Sequence, residues 1–335
     1  MSTSAPAIEQ LPPRLQQLQR RFTDQPLYAL TAILVILFVI LASVSPGYRS
    51  LHSVSSTVQL AAILGIIAAG QTIVLLTAGV DLSVASVASA AAYVMAQNGG
   101  HGAVWAVLIG LAIGLVAGLV NGIGVGIFGV QPLIMTLGVG SIVEGMLVVY
   151  SQAQSNGAPL VPGPVHQLGT GTLGTYIPLD VLFVWLPISA ILILGLKYSG
   201  LGRAIIAVGD NPVACRLAGV RTWQVLLATY AISSILSATA GMILGGYENA
   251  VDPQLATTYL LLSVAAAVIG GTSVFGGLGG YAGTIFGALI LTVLDALLTV
   301  MNASQATRLM LYGAIILLLA WIYARLAGGG LGSTG

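Results

Sequence analysis

Residues 103–127 read AVWAVLIGLAIGLVAGLVNGIGVGI, a run without a single charged side chain and with Asn121 as its one strongly polar member. As a helix it would rise about 37 Å, more than the roughly 30 Å of hydrocarbon in a bilayer. The whole chain of 335 residues shares this character: 57% of it is hydrophobic, 6% is charged, and its mean hydropathy is +1.01. A soluble domain carries about 25% charged residues, so a soluble enzyme, a secreted domain and a disordered chain are excluded together. The net charge of +1 offers no basic field for nucleic acid. A single cysteine, Cys215, excludes an intrachain disulfide framework and any Cys-rich metal site. The composition is that of an all-α polytopic membrane protein.

Segments of similar apolarity fall at about 27–45, 57–78, 81–97, 103–127, 132–150, 179–198, 223–247, 257–275, 279–300 and 306–325, which makes about ten transmembrane helices. Between Arg49 and Lys197 the only charges are Asp81, Glu144 and Asp180, and between Asp252 and Asp295 there are none. Arg14, Arg20 and Arg21 precede the first span, Lys197, Arg203, Arg216 and Arg221 flank one loop, and Arg325 ends the last span. Ten spans with both termini in the cytoplasm put all of these on one side, leaving out only Arg49 and Arg308. The expected organisation is a cytoplasmic lead-in (1–26), a transmembrane domain (27–325) and a flexible tail (326–335). The domain includes an external loop at 151–178 and a cytoplasmic loop at 199–222. The first span reads as an uncleaved anchor, being too long for a signal peptide. With the first and sixth spans set aside, two four-span groups of opposite parity remain, the layout of an inverted repeat.

Glycines recur every four residues at Gly110, Gly114, Gly118, Gly122 and Gly126, and again at Gly279, Gly283 and Gly287. That spacing puts them on one helix face, where another backbone can come close, and tight helix packing is the expected role. Enzymatic signatures are missing: there is no H-E-x-x-H, C-x-x-C or G-x-S-x-G. The only lysine, Lys197, follows no Walker A pattern, so any ATP used must be hydrolysed by another polypeptide.

Within the cytoplasmic loop a short helix is legible residue by residue. Asn211 suits an N-cap, Pro212 the first helical position and Gly219 the C′ stop. Between these ends Val213, Ala214 and Leu217 give an apolar side, Arg216 a polar anchor, and Ala218 completes the turn. So short a helix needs packing to hold it. A second local feature is the break at Thr77–Ser83, where Asp81 follows Gly79 and is placed to cap the next helix at the cytoplasmic interface.

Four segments, in order, resemble the conserved blocks of permease subunits from bacterial ribose-type sugar ABC importers, in the monosaccharide/branched-chain amino acid permease superfamily. They are TAGVDLSVASV (Thr77–Val87), GVQPLIMTLGVGSIVEGM (Gly129–Met146), GRAIIAVGDNPVACRLAGVRTWQV (Gly202–Val225) and VIGGTSVFGGLGGYAGTIFGALIL (Val268–Leu291). The resemblance runs from about residue 27 to 325 and implies a large-bundle, type II-like importer fold. It implies two permease subunits, identical or paralogous, enclosing one pathway in the bacterial inner membrane. It also implies cytoplasmic ATPase subunits holding the ATP and Mg, and a periplasmic or lipid-anchored solute-binding protein. The Asn211–Gly219 helix would be the coupling helix that docks on the ATPase, and this chain would carry no cofactor of its own. Three departures stand out: Val213 replaces the family's usual acid, Ala85 its usual glycine after G-V-D-L-S-V, and Asp295 a frequent Asn.

Polar residues inside spans usually face the bundle or a cavity. Gln71, Asp81, Ser83, Asn121, Thr136 and Glu144 are therefore candidates for the translocation pathway, as are Thr272 and Ser273 in the last block. For each, bridging between helices is the competing role. The leading expectation is import of a monosaccharide or similar small polyhydroxylated solute by alternating access. The alternative is an ion-coupled secondary transporter using Asp81, Glu144 or Asp295.

Overall fold

A computed structural model describes residues 26–153 and 159–328, with side chains at 27–153 and 159–319. The expected lead-in and the glycine tail from 329 onward lie outside the described residues. The rest is almost wholly helical. In chain order the helices are α1 (Pro26–Val44), α2 (Leu51–Leu76), α3 (Val84–Gln97), α4 (Ala103–Gly126), α5 (Pro132–Ala153), α6 (Gly163–Thr170), α7 (Leu186–Tyr198), α8 (Gly200–Asp210), α9 (Pro212–Leu217), α10 (Thr222–Glu248), α11 (Tyr259–Ile269), α12 (Tyr281–Val300) and α13 (Gln305–Gly328). A π-helical turn, Val181–Trp185, leads into α7, and Thr172–Leu173 and Ile177–Pro178 form a small antiparallel hairpin between α6 and that turn.

Every expected span contains one of these apolar helices. Among the described residues seven segments are long and apolar enough to cross a membrane, two apolar helices are shorter, Val84–Gln97 and Tyr259–Ile269, and α13 is apolar over Gln305–Leu319. The centre of the bundle is α2, whose residues Ala61–Leu76 are buried without interruption. A helix that is apolar all round belongs in a core. Helix α10 packs against α2, α3 and α4, while α12 packs against α2, α1 and α11. Large apolar side chains point outward on the periphery, among them Val35, Ile36 and Val39 on α1 and Ile142 and Met146 on α5, where lipid would cover them.

The glycine stripes explain the close approaches. A Cβ on Gly114 would lie 2.7 Å from the Ser234 carbonyl oxygen, and one on Gly118 2.6 Å from that of Tyr230. Gly122 likewise faces the Leu227 backbone and Gly126 the Trp223 carbonyl, so α4 and α10 meet backbone to backbone along their length. The second stripe does the same one layer away, with Gly283 against the Gly270 carbonyl, Gly287 against that of Ala266 and Gly279 against Thr272. The two arginines left out by the charge distribution are both tied down: Arg49 donates to the Ala42 carbonyl at 2.8 Å, and Arg308 pairs with Asp295 at 3.1 Å.

Three expectations need correction. The span expected at 257–275 is helical only to Ile269; Gly271, Gly276, Gly277 and Gly279 all take positive φ, which turns the remainder into an irregular loop. Helix α3 begins at Val84 rather than 81 and rises only about 21 Å, because the chain before it is non-helical and buried. The segment expected as a loop at 199–222 holds two helices instead of one, since α8 precedes the short capped helix.

Gly118→Leu is expected to be severe, because overpacking against backbone cannot be relieved by a rotamer change and costs upward of about 3 kcal/mol. Gly195→Leu, where a Cβ would meet nothing within 4 Å, is the matched control. Thermal unfolding in detergent should show a lowered midpoint or no folded peak for the first variant only; equal midpoints would contradict the packing account.

Candidate functional site

The short helix α9 is closed at both ends by local chemistry. Asn211 is extended, and its Oδ1 accepts hydrogen bonds from the amides of Val213 (3.1 Å) and Ala214 (2.9 Å). Pro212 follows in the first turn, where its missing N–H costs nothing. At the other end Gly219 takes φ +83°, its amide donates to the Arg216 carbonyl (3.0 Å), and the Val220 amide reaches that of Cys215 (2.9 Å). These two bonds make a Schellman closure, which only a residue free to adopt positive φ completes cheaply. Cys215 is the buried residue of the helix and packs with Leu76, Ile205, Val208 and Val225. Val213 and Leu217 lie on one exposed face, 55% and 86% accessible, with Arg216 also exposed. An apolar face turned outward on a capped helix is a docking geometry.

Helix α8 links α9 to the membrane bundle. Ser199 caps it by accepting from the Gly202 amide at 2.9 Å, and its inner face buries Ile205 and Val208. Its last turn is wedged between two helix breaks. A Cβ on Gly209 would collide with the Leu76 carbonyl at the end of α2 and would lie 2.8 Å from the Gly277 amide. Gly277, in the loop after α11, donates to that same Leu76 carbonyl at 3.0 Å. The end of α2, the loop before α12 and the segment leading into α9 therefore share one point of contact.

The break between α2 and α3 is held by a buried polar network. The Asp81 carboxylate accepts from the Ser83 hydroxyl (2.6 Å) and amide (3.0 Å) through Oδ1, and from the Ser233 hydroxyl of α10 (2.9 Å) through Oδ2. Asn121 of α4 donates to the Ser83 hydroxyl at 2.9 Å, and the Leu82 amide donates to the Thr136 hydroxyl of α5 at 3.0 Å. Asp81, Ser83, Asn121, Thr136 and Ser233 are all fully buried. Asp81 thus sits inside the bundle rather than at an aqueous interface, and Ser83 occupies the N-cap position with Asp81 bonding its amide. Unpaired backbone groups at such a depth would be costly, and the network supplies their partners.

The other candidates disperse. Gln71 and Thr272 are fully buried, and among the described residues neither the Gln71 amide atoms nor the Thr272 hydroxyl has a hydrogen-bond partner. Ser273 accepts from the Phe275 amide at 3.1 Å and so shapes the loop after α11. Glu144 is exposed on α5, one turn from Ser141 and apart from the Asp81 network. Sequence reasoning missed Ser233, Gly209 and helix α8. The amphipathic spacing of Leu201, Ile205 and Val208 behind Ser199 carried a signal for α8; nothing local marked Ser233 as Asp81's partner, 152 residues away.

A model of the family described as branched-chain amino acid transport system / permease component matches residues 53–320. The chain belongs to this permease family. Among curated relatives, the permease is 33% identical over 293 residues to the ribose import permease protein RbsC of Escherichia coli (strain K12), covering 85% of this chain and 89% of the relative. It is 32% identical over 317 residues to the fructose import permease protein FrcC of Rhizobium meliloti, covering 91% and 87%. With the autoinducer 2 import system permease protein LsrC of Yersinia pseudotuberculosis serotype IB (strain PB1/+) it shares 31% over 276 residues, covering 81% and 78%. No solved structure matches it. The permease is an integral, multi-pass inner-membrane protein and a permease component of a transport system.

Two measurements check the local geometry. Asn211→Ala removes both capping bonds at a cost of about 1 kcal/mol, so the Val213 and Ala214 amides should exchange hydrogen about fivefold faster. Ser233→Ala deprives Asp81 of a buried donor at a cost of about 1–3 kcal/mol, and should lower the thermal midpoint without preventing membrane insertion. An unchanged midpoint would mean that the network does not hold the break.

Proposed function

We propose that this permease is the membrane-spanning subunit of an ATP-driven, binding-protein-dependent importer that moves a monosaccharide or similar small polyhydroxylated solute by alternating access. The observation that carries this reading is the α8–α9 pair: α9 turns Val213 and Leu217 outward, while the end of α8 is wedged between the two helix breaks. A partner that grips α9 and moves therefore displaces α8 against the points where the bundle's helices are interrupted. The sequence lacks a Walker A loop, so ATP and Mg are bound by a separate cytoplasmic ATPase. The sugar-like solute class is supported by the relatives, whose names assign ribose, fructose and autoinducer 2 to them.

Two permease subunits, identical or paralogous, enclose the pathway, and a solute-binding protein delivers the cargo from outside. In this arrangement Glu144, exposed beside Ser141 on α5, is the candidate placed to meet solute. Asp81, Ser83, Asn121 and Thr136 act on the helix break instead. Losing the family's acid at Val213 makes docking on the ATPase depend on apolar contact and Arg216.

Reconstitution with the ATPase and binding protein in vesicles tests this directly. Solute uptake should require ATP inside and survive a protonophore. Uptake that runs without ATP and collapses with the protonophore would instead establish ion coupling through one of the intramembrane carboxylates. The double variant Arg216→Glu/Leu217→Asp should insert normally yet lose at least nine-tenths of ATP-driven uptake; full uptake would remove α9 from the coupling role.

A further inference from the structure

Besides the cytoplasmic contacts, the described residues form a cavity of mixed polar and apolar lining at the opposite, external end. Its volume is about 440 Å³, within the roughly 300–1,000 Å³ typical of small-ligand pockets. It lies within one copy of the chain, among α2, the end of α10, α11, α12, α13 and the turn after α1. Along α2 the lining runs from Ser53 to Leu64, a depth of about 16 Å. The cavity is therefore a shaft, wet at the rim and apolar at its floor of Leu64, Leu262 and Leu291.

Its chemistry is unusual for this chain. Four tyrosines line it, Tyr48, Tyr247, Tyr259 and Tyr312, with hydroxyls from Ser56, Thr57, Thr292 and Thr299. Asp295 and Arg308 are the two charged groups in its wall, and they pair at 3.1 Å. Tyr312, 2% exposed, donates its hydroxyl to Asp295 at 2.6 Å. Arg308 and Tyr312 are four residues apart on α13 and so meet Asp295 of α12 from one face. Both bonds reach Oδ1 of Asp295, whose side chain stays 41% exposed, so Oδ2 is left able to accept from an occupant.

This inventory selects among occupants. A phosphate headgroup finds no free cation, because Arg308 is already neutralised and the Asp295 carboxylate repels an anion. An acyl chain would desolvate the Asp295 carboxylate, whose Oδ2 takes neither the Arg308 nor the Tyr312 bond, without replacing a hydrogen bond. A neutral molecule carrying several hydroxyls can donate to Asp295 Oδ2 and to the oxygens of Thr292 and Thr299, whose own protons go to the Ala288 and Asp295 carbonyls, and its C–H faces can lie on tyrosine rings. We infer that this cavity is a solute site of its own within each subunit, taking a neutral polyhydroxylated molecule of monosaccharide size. It stands apart from Glu144 and from the Asp81 network. The solute class rests on the sugar-importer reading; the location rests on the cavity itself.

The test is saturation-transfer NMR on the full chain in nanodiscs, without ATPase or binding protein. The probes are D-ribose, D-fructose, D-glucose and myo-inositol, with lysophosphatidylcholine as the lipid comparison. Transfer to at least one neutral probe is expected, falling at least fivefold in Asp295→Asn and in Thr292→Trp, which fills the shaft. If either variant does not fold, Ser56→Trp at the rim takes its place and should give the same loss. No transfer to any neutral probe, transfer undiminished by the filling variants, or transfer to the lysolipid alone would each overturn the site. The uptake assay keeps the two readings separable: ATP-driven uptake of a sugar with no such binding defeats only the cavity, whereas sugar binding here without ATP-driven uptake of any sugar defeats only the importer.

Discussion

The amide of Gly277 donates to the carbonyl of Leu76 at 3.0 Å, and this bond joins two places where helices have been broken inside a membrane protein. Hydrocarbon offers no hydrogen bonds, so every interruption of a helix must find its partners within the protein. Much of the architecture follows from that requirement. The break after α2 is satisfied by Asp81, Ser83 and Thr136, which in turn recruit Ser233 from α10 and Asn121 from α4. The loop after α11 is satisfied by its own glycine turns, by Leu76 and by the close approach of Gly209. Helix α8 is held where it is because its last turn fills the space between them.

What could be read beforehand divides along the range of the interactions. The ends of α9 were legible because Asn211, Pro212 and Gly219 act on residues two to four positions away. The glycine stripes of α4 and α12 were legible as faces, since a spacing of four is itself a geometric statement. Their partners were not, because nothing in Gly118 specifies Tyr230. Hydropathy placed ten apolar segments but counted the residues after Ile269 as span. Composition weighs those glycines as mildly apolar and says nothing of the positive φ they adopt. Helix α8 was overlooked because it is too short to stand out as a span and one of its main contacts is made through a glycine.

The candidate polar residues show the same division. All of them lie in apolar segments, and that property alone could not separate Glu144, which is exposed, from Asn121, which is fully buried and bonded to Ser83. Asp295 read as a departure from a family pattern. In three dimensions its meaning comes from Arg308 and Tyr312 across a tight turn, and from the space beside them.

The seam between α4 and α10 has one further consequence. Most helix interfaces can slip by exchanging rotamers, each small step accommodated by a side chain that turns aside. Here backbone meets backbone along much of the seam, so few side chains are there to turn. A slide of α4 along α10 would drive each glycine's neighbours into the opposite main chain. The two helices are thus obliged to travel as one rigid body, and any rocking of the bundle must be taken up at its peripheral helices.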